Sequence, residues 1–172
     1  ANALIDDWVH KNTGMFFDCD GKFAAKGVVD ETALSQLLGH PYFERRGPRS
    51  LDRNTFSLSP IEGLSLQDGA ATLTAFTAVS VSLAQTLFPS PPLRWLVGGG
   101  GRLNSALMAA VAHNLSVPVE LVEELGWNGD ALEAQAFAYL AVRSLYGLPL
   151  SYPETTGVSN PVTGGVLHLA TE

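Results

Sequence analysis

Leu96-Val97-Gly98-Gly99-Gly100-Gly101-Arg102-Leu103-Asn104 decides how this chain is read. A short apolar run ends in four consecutive glycines, and a helical pattern begins at Asn104. Glycine has no Cβ, so the backbone can adopt φ > 0 and a ligand can lie directly against it. The start of the following helix presents free N–H groups and a partial positive charge, which suits a phosphate. The same turn is compatible with a tight strand-to-helix connection that holds no ligand. A dinucleotide fingerprint asks for Gly-x-Gly-x-x-Gly and an acid near the end of the next strand. Gly98 and Gly100 fit its first two positions and Glu120 is near the right place, but Leu103 holds the third. No Gly-Lys-Ser or Gly-Lys-Thr follows the run, so it is no Walker A loop. Spacing alone makes the turn compatible with a nucleotide without identifying one.

Outward from the turn, strands alternate with helices, which predicts the α/β class. Residues 93–97 read as a short buried strand, 104–113 as a helix, 117–122 as a second strand and 130–145 as a long helix. Residues 165–169 read as a last strand after a Pro- and Thr-rich turn. Upstream, Leu4, Ile5, Trp8 and Val9 have amphipathic helical spacing over residues 2–11, with Asn2 as a capping-type residue and Gly14 as the stop. Phe17-Asp18-Cys19-Asp20-Gly21 reads as a bend. Asp30 caps a helix running to residue 38. Ser65 and Asp68 resemble a capping box before a helix that runs to about residue 87, where Pro89, Pro91 and Pro92 stop it. Residues 39–60 show no period. With Pro41, Gly47, Pro48 and the arginines 45, 46, 49 and 53, they read as a long ordered loop of the kind that is often functional.

Of 172 residues, 46% are hydrophobic and 16% charged, enough apolar side chain for a core and unlike a disordered chain. The apolar stretches are broken before the ~20 residues of a membrane span, so no membrane association is expected. The net charge is −7 and the basic residues are scattered, which excludes a phosphate-neutralising nucleic-acid surface. The single cysteine, Cys19, permits no internal disulfide and no cysteine metal cluster, and the cytoplasm is the natural compartment. The chain opens without Met and already in a helical pattern, as a fragment or processed piece would.

Asp130 and Glu133 read either as a second capping box or, for Glu133, as a ligand contact. Asp6 and Asp7 favour the first helix electrostatically. The loop arginines fit an anion clamp or a solvated loop. His10, His40, His113 and His168 have no metal-ligand spacing.

These segments together resemble the C-terminal half of the anhydro-N-acetylmuramic acid kinase family, within the sugar-kinase and actin-like superfamily. Asn2-Ala3-Leu4-Ile5-Asp6-Asp7-Trp8 is similar to the end of its D-x-G-P-G/A-N-x-L-I/L/M-D-x-W motif. Phe17-Asp18 through Gly21, Ala24 and Gly27 resembles its F/Y-D-x-x-G-x-x-A-x-x-G stretch. Pro41-Tyr42-Phe43 precedes Gly47-Pro48-Arg49-Ser50-Leu51-Asp52-Arg53, similar to P-K/P-S-T-G-R-E but with Leu51-Asp52 for Thr-Gly. Asp68, Ala71, Thr72 and Leu73 sit where the family has D-V-Q-A-T-L. Val97 to Asn104 resembles V-C-G-G-G-A-x-N, with Gly98 for Cys and Arg102 for a small residue. Gly126, Glu133, Ala134 and Ala136-Phe137-Ala138 resemble its G-x-x-x-x-x-x-E-A-x-A-F-A, and Thr156-Gly157 its closing V-T-G.

The resemblance implies the C-terminal lobe, residues 1–172, of a two-lobed actin-like (ribonuclease H-like) kinase with a short sheet and several packed helices. It implies ATP and Mg2+ as cofactors, and hydrolysis plus O6 phosphorylation of 1,6-anhydro-N-acetylmuramic acid in murein recycling. Gly98, Gly99, Gly100, Gly101 and Asn104 would hold the nucleotide, and Glu133, Asn2 and Asp6 the anhydro amino sugar. The family's catalytic aspartate falls upstream of Ala1, and its phosphate motif G-x-M-S-G-T-S-x-D-G is absent from these residues. The expectation is therefore an N-terminal lobe as partner, a possible homodimer, and no kinase activity from this chain alone. Two other readings stand beside this one. A non-catalytic or degenerate relative is motivated by the missing base and Leu51-Asp52, and an NAD-dependent oxidoreductase by Gly98, Gly100 and Glu120.

Overall fold

Helix α3, Leu66–Leu83, is the element on which three other helices pack, because small buried residues line much of its circumference. Gly69, Ala70, Ala71, Thr72, Thr74 and Ala78 leave room for neighbouring backbones to come close. The computed structural model describes residues 2–45, 51–52 and 54–169. Helix α1, Ala3–Thr13, ends as expected at Gly14, which takes the left-handed conformation with φ 75°. Its Trp8 lies flat on α3, where a Cβ on Gly69 would collide with the indole, and donates from Nε1 to the Leu66 carbonyl at 3.0 Å. Helix α2, Glu31–Leu38, is capped by Asp30, whose Oδ1 accepts from the Ala33 N–H at 2.8 Å. Ile5, Val9, Leu34, Leu37, Ile61, Leu73 and Phe76 close a core between these three helices. Each fully buried aliphatic side chain there contributes ~1.5–3 kcal/mol.

The stretch from Phe17 to Gly27 is the joint between this core and the rest. Buried Asp18 accepts from the N–H groups of Phe23 (2.9 Å) and Ala24 (3.0 Å), closing the bend on itself. Ala24 enters the core. Gly27 abuts the Gln67 backbone and Gly21 abuts Asn104 and Ala106, so a Cβ at either position would collide. Asp18, Gly21, Ala24 and Gly27 of this pattern therefore each have a structural reason, whereas Phe17 is exposed.

Strand β1, Trp95–Val97, pairs in parallel with β2, Val119–Leu121, setting Trp95 opposite Val119 and Val97 opposite Leu121. A parallel pair needs a crossover, and helix α4, Ser105–Asn114, supplies it. Leu107 and Val111 of α4 and Leu115 just beyond it join Ala78 of α3 in a second apolar cluster, with Trp95 and Val119 against it. The α/β class thus holds, with a two-stranded parallel sheet and helices about it. Helix α5, Leu132–Leu145, and the short α6, Pro153–Thr156, follow.

Several expectations change. The strand at 93–97 is shorter and only half-buried, and Leu93 is exposed. Residues 165–169 form no strand: the one bridge near the C-terminus is Ser151 to Val162, and Val166 is exposed without a neighbouring strand to complete its ladder. Asn2 makes no capping bond to α1. Ser65 does cap α3, but Asp68 turns to the Val28 N–H (2.8 Å) and the Ser65 hydroxyl rather than closing a reciprocal box. Residues 66–87 are long and apolar enough by length and composition to cross a membrane, against the expectation of earlier breaks, although nine residues of α3 are buried within this fold. Arg46, Gly47, Pro48, Arg49, Ser50 and Arg53, which carry most of the family-like loop, lie outside the described residues.

Candidate functional site

The glycine run leaves β1 and turns at Gly99, with φ 72° and ψ 177°, a conformation that favours glycine. The Gly99 N–H donates to the Gly129 carbonyl at 3.1 Å. A single 3-10 turn, Gly100–Leu103, follows before α4 begins. Each glycine meets a different surrounding. A Cβ on Gly98 would crowd the Leu132 side-chain tip at 2.8 Å and make ordinary contact with Val122 at 3.7 Å. Gly99 and Gly100 have open space where a side chain would be, and Gly101 would meet the Asn2 side-chain oxygen at 2.7 Å. Among the described residues nothing accepts a hydrogen bond from the N–H of Gly100 or Gly101. The turn is thus packed at Gly98 and Gly101, open beside Gly99 and Gly100, and carries two N–H groups without an acceptor among the described residues.

The start of α4 is less available than the sequence suggested. Asn104, buried, caps it by accepting from the Leu107 N–H at 2.9 Å. Asp20 covers the same end: its Oδ1 faces the Ser105 N–H at 3.4 Å, and its carbonyl accepts from the Ser105 hydroxyl at 3.0 Å. Asp20 adopts φ 57° to do so, a left-handed conformation that Asp tolerates better than most residues. The open donors are those of the turn itself, not those of the helix.

One side chain fixes the turn from behind, and its partners are distant in sequence. Arg102, which stands where the family motif has a small residue, points inward with its side chain 6% exposed. Its Nε donates to Glu123 Oε1 (2.8 Å), and its Nη1 donates both to Asp130 Oδ1 (2.7 Å) and to the Gly99 carbonyl (3.0 Å). Glu123 Oε1 also accepts from the Gly129 N–H at 3.2 Å. The bond from Arg102 holds the Asp130 carboxyl below its usual range. Glu123 is held low first by its own backbone N–H, then by Arg102. The guanidinium is raised further, chiefly by Asp130. Asp130 is thus an ion-pair partner rather than a helix cap, and α5 starts two residues later without a side-chain cap. A lone Arg after a glycine run was the only visible signal, since its partners are 21 and 28 residues away.

Of the remaining candidates, Asn2 stands at the turn, against Gly101. Asp6 is one helical turn further along α1, its N–H donating to the Asn2 carbonyl. Glu133 is exposed in the first turn of α5, next to the Leu132 that touches Gly98. Glu120 does not reach the turn: it pairs with Arg94, before β1, at 2.8 Å, which leaves the dinucleotide reading without its acid. On the other side of the α1 start lies a cavity of about 460 Å³. Ala3, Leu4, Phe43, Phe56 and Trp95 line it, and the buried Trp95 Nε1 has no hydrogen-bond partner among the described residues. Three or more His, Cys, Asp or Glu side chains in metal-binding arrangement do not occur among the described residues.

An α/β unit with an open glycine turn between a strand and a crossover helix is an architecture with room for a ligand at the turn. Comparison with known proteins narrows it. A family model described as anhydro-N-acetylmuramic acid kinase matches residues 1–170. A protein of that name from Rhodospirillum rubrum is 58% identical over 165 residues, covering 96% of this chain and 44% of the relative. Relatives of the same name from Paramagnetospirillum magneticum (55% over 172 residues; 98% and 48%) and Rhizorhabdus wittichii (53% over 168 residues; 98% and 46%) agree. The chain belongs to the anhydro-N-acetylmuramic acid kinase family. It spans about half the length of the curated relatives it matches.

Proposed function

We propose that this chain is the C-terminal, actin-like lobe of a two-lobed ATP-dependent sugar kinase. The complete enzyme would open the anhydro ring of 1,6-anhydro-N-acetylmuramic acid with water and phosphorylate O6, in murein recycling in the cytoplasm. The observation that carries this reading is the glycine turn, where the N–H groups of Gly100 and Gly101 have no acceptor among the described residues and the space beside Gly99 and Gly100 is open, on a chain of this family. Such donors suit the anionic oxygens of ATP, because backbone N–H groups bind phosphate without needing a cation from an acidic protein. Asn2, against Gly101, and Glu133, next to the Leu132 that touches Gly98, would face the sugar, with Asp6 one turn behind Asn2.

Mg2+ rides largely on phosphate oxygens and water. The described residues offer no set of ligands for it, so none is assigned to them. The general base belongs to the part of the longer protein upstream of Ala1, as does the phosphate loop. That same part would cover α5, which buries none of its residues here and exposes Phe137, Val142 and Leu145.

The deciding experiment compares the full-length protein with the isolated 172 residues for ATP- and sugar-dependent release of ADP. Turnover is expected from the first only. Robust turnover by the isolated chain refutes the half-site reading, and none from the full-length protein favours a degenerate relative.

A further inference from the structure

Arg102 is a buried cation that the ligand reading above leaves unused. We propose that Arg102 is the positioning residue of the glycine turn, fixing the peptide between Gly99 and Gly100 so that the Gly100 N–H is held toward an anionic ligand, an assignment that rests on the nucleotide reading of that turn. The Gly99 carbonyl accepts twice from this one residue, from its backbone N–H at 3.2 Å and from Nη1 at 3.0 Å. Gly99 C=O and Gly100 N–H belong to one planar peptide, and no cis bond occurs among the described residues. In a trans peptide the two groups point to opposite sides, so anchoring the carbonyl on the guanidinium aims the N–H away from it. The Gly99 N–H is tied as well, to Gly129. A four-glycine segment, otherwise the freest backbone available, thus has one residue clamped on both sides.

The guanidinium acts through the turn and not on the ligand. Two carboxylates more than balance it and its side chain is 6% exposed, so the cluster has no positive charge to offer a phosphate. The arrangement requires an arginine: Nε and Nη1 must address Glu123, Asp130 and the Gly99 carbonyl in fixed directions, which a lysine ammonium cannot span. It also requires Gly129, where a Cβ would run into Arg102 Nε and Cζ and Glu123 Oε1.

The test uses the full-length protein and its Arg102→Ala and Arg102→Lys variants. It records 15N order parameters of Gly99, Gly100 and Gly101, and calorimetric affinities for ATP and for adenosine. Order parameters of about 0.85 are expected to fall below about 0.6 in Arg102→Ala. The Kd for ATP is expected to rise about tenfold while that for adenosine stays within about twofold, because only the phosphates use the turn. Arg102→Lys falls between. Should Arg102→Ala not fold, the Glu123→Gln, Asp130→Asn double variant loosens the same guanidinium and is expected to move both readouts in the same direction. Turn amides that stay rigid overturn the proposal, and so does an equal loss of ATP and adenosine binding. Wild-type protein that binds no ATP sinks the nucleotide reading, and the order parameters then decide the role of Arg102.

Discussion

Replacing Gly27 by alanine tests how α3 is held to the chain that precedes it. Gly27 has φ −90° and ψ 167°, which any residue adopts, so the change introduces no backbone strain. Its whole effect is steric. The new Cβ would collide with the Gln67 carbonyl and lie 2.8 Å from the Asp68 nitrogen. These are backbone atoms, so no rotamer change relieves the clash. The Gly27–Val28 segment must move from α3 by on the order of 1 Å before carbon and oxygen reach van der Waals separation. Overpacking of this kind costs about 1–3 kcal/mol. The movement also stretches the Asp30 N–H to Thr72 hydroxyl bond, now 2.9 Å, for about 1 kcal/mol more. Removing a glycine from the unfolded chain returns about 0.4–1 kcal/mol. The net loss is about 2–3 kcal/mol, read as a lower urea midpoint at unchanged m-value. A second readout is independent of stability. The Val28 N–H is the main cause holding the Asp68 carboxyl below its usual range, ahead of the Ser65 hydroxyl. The Asp68 titration, followed by carboxyl 13C NMR, should therefore move up in the variant. A midpoint within about 0.5 kcal/mol of wild type would refute the close packing of Gly27 on α3. An unmoved Asp68 would refute the link between that packing and its pKa.

Leu73→Ala removes a fully buried side chain from the centre of α3 and should cost about 2–5 kcal/mol by the same denaturation assay. Gly99→Ala meets no atom but forces a side chain to φ 72°, and should lose about 1–2 kcal/mol, measured by thermal unfolding. Gly100→Ala has open space and ordinary φ, so stability should stay within about 0.5 kcal/mol while ATP affinity in the full-length protein falls. Asp68, Glu123 and Asp130 all have depressed pKa values in the fold, so their stabilisation is present above the unfolded carboxylate range and is lost as pH falls through the folded values. Stability from pH 7 to 3 should therefore decline, and the decline should be shallower in Asp130→Asn. An equally steep decline in that variant would remove Asp130 from the account.

Local chemistry made much of the fold legible. Asp30 and Ser65 cap the helices they precede because a side-chain oxygen beside free N–H groups acts over three residues. Gly14 stops α1 because a left-handed residue ends a helix cheaply only when it lacks a Cβ. Asn2 and Asp130 carry the same capping chemistry and do not use it. Each has a distant neighbour, the glycine turn for one and Arg102 for the other, and side-chain preference does not encode that neighbour. The expected strand at 165–169 had suitable composition, but a strand exists only with a partner.

By itself, the sequence determined the alternation of strands and helices, the place of the glycine turn, and the family-like order of motifs from Asn2 to Gly157. Those follow from periodicity and from what a missing Cβ permits. Tertiary structure decided which face of the turn is open, that Asn104 and Asp20 close the α4 end, and that Arg102 grips Gly99 from behind. The Asp20 cover on Ser105 and the hold of Glu123 and Asp130 on Arg102 depend on groups 21 to 85 residues apart meeting in space, which only the packing of the whole chain brings about.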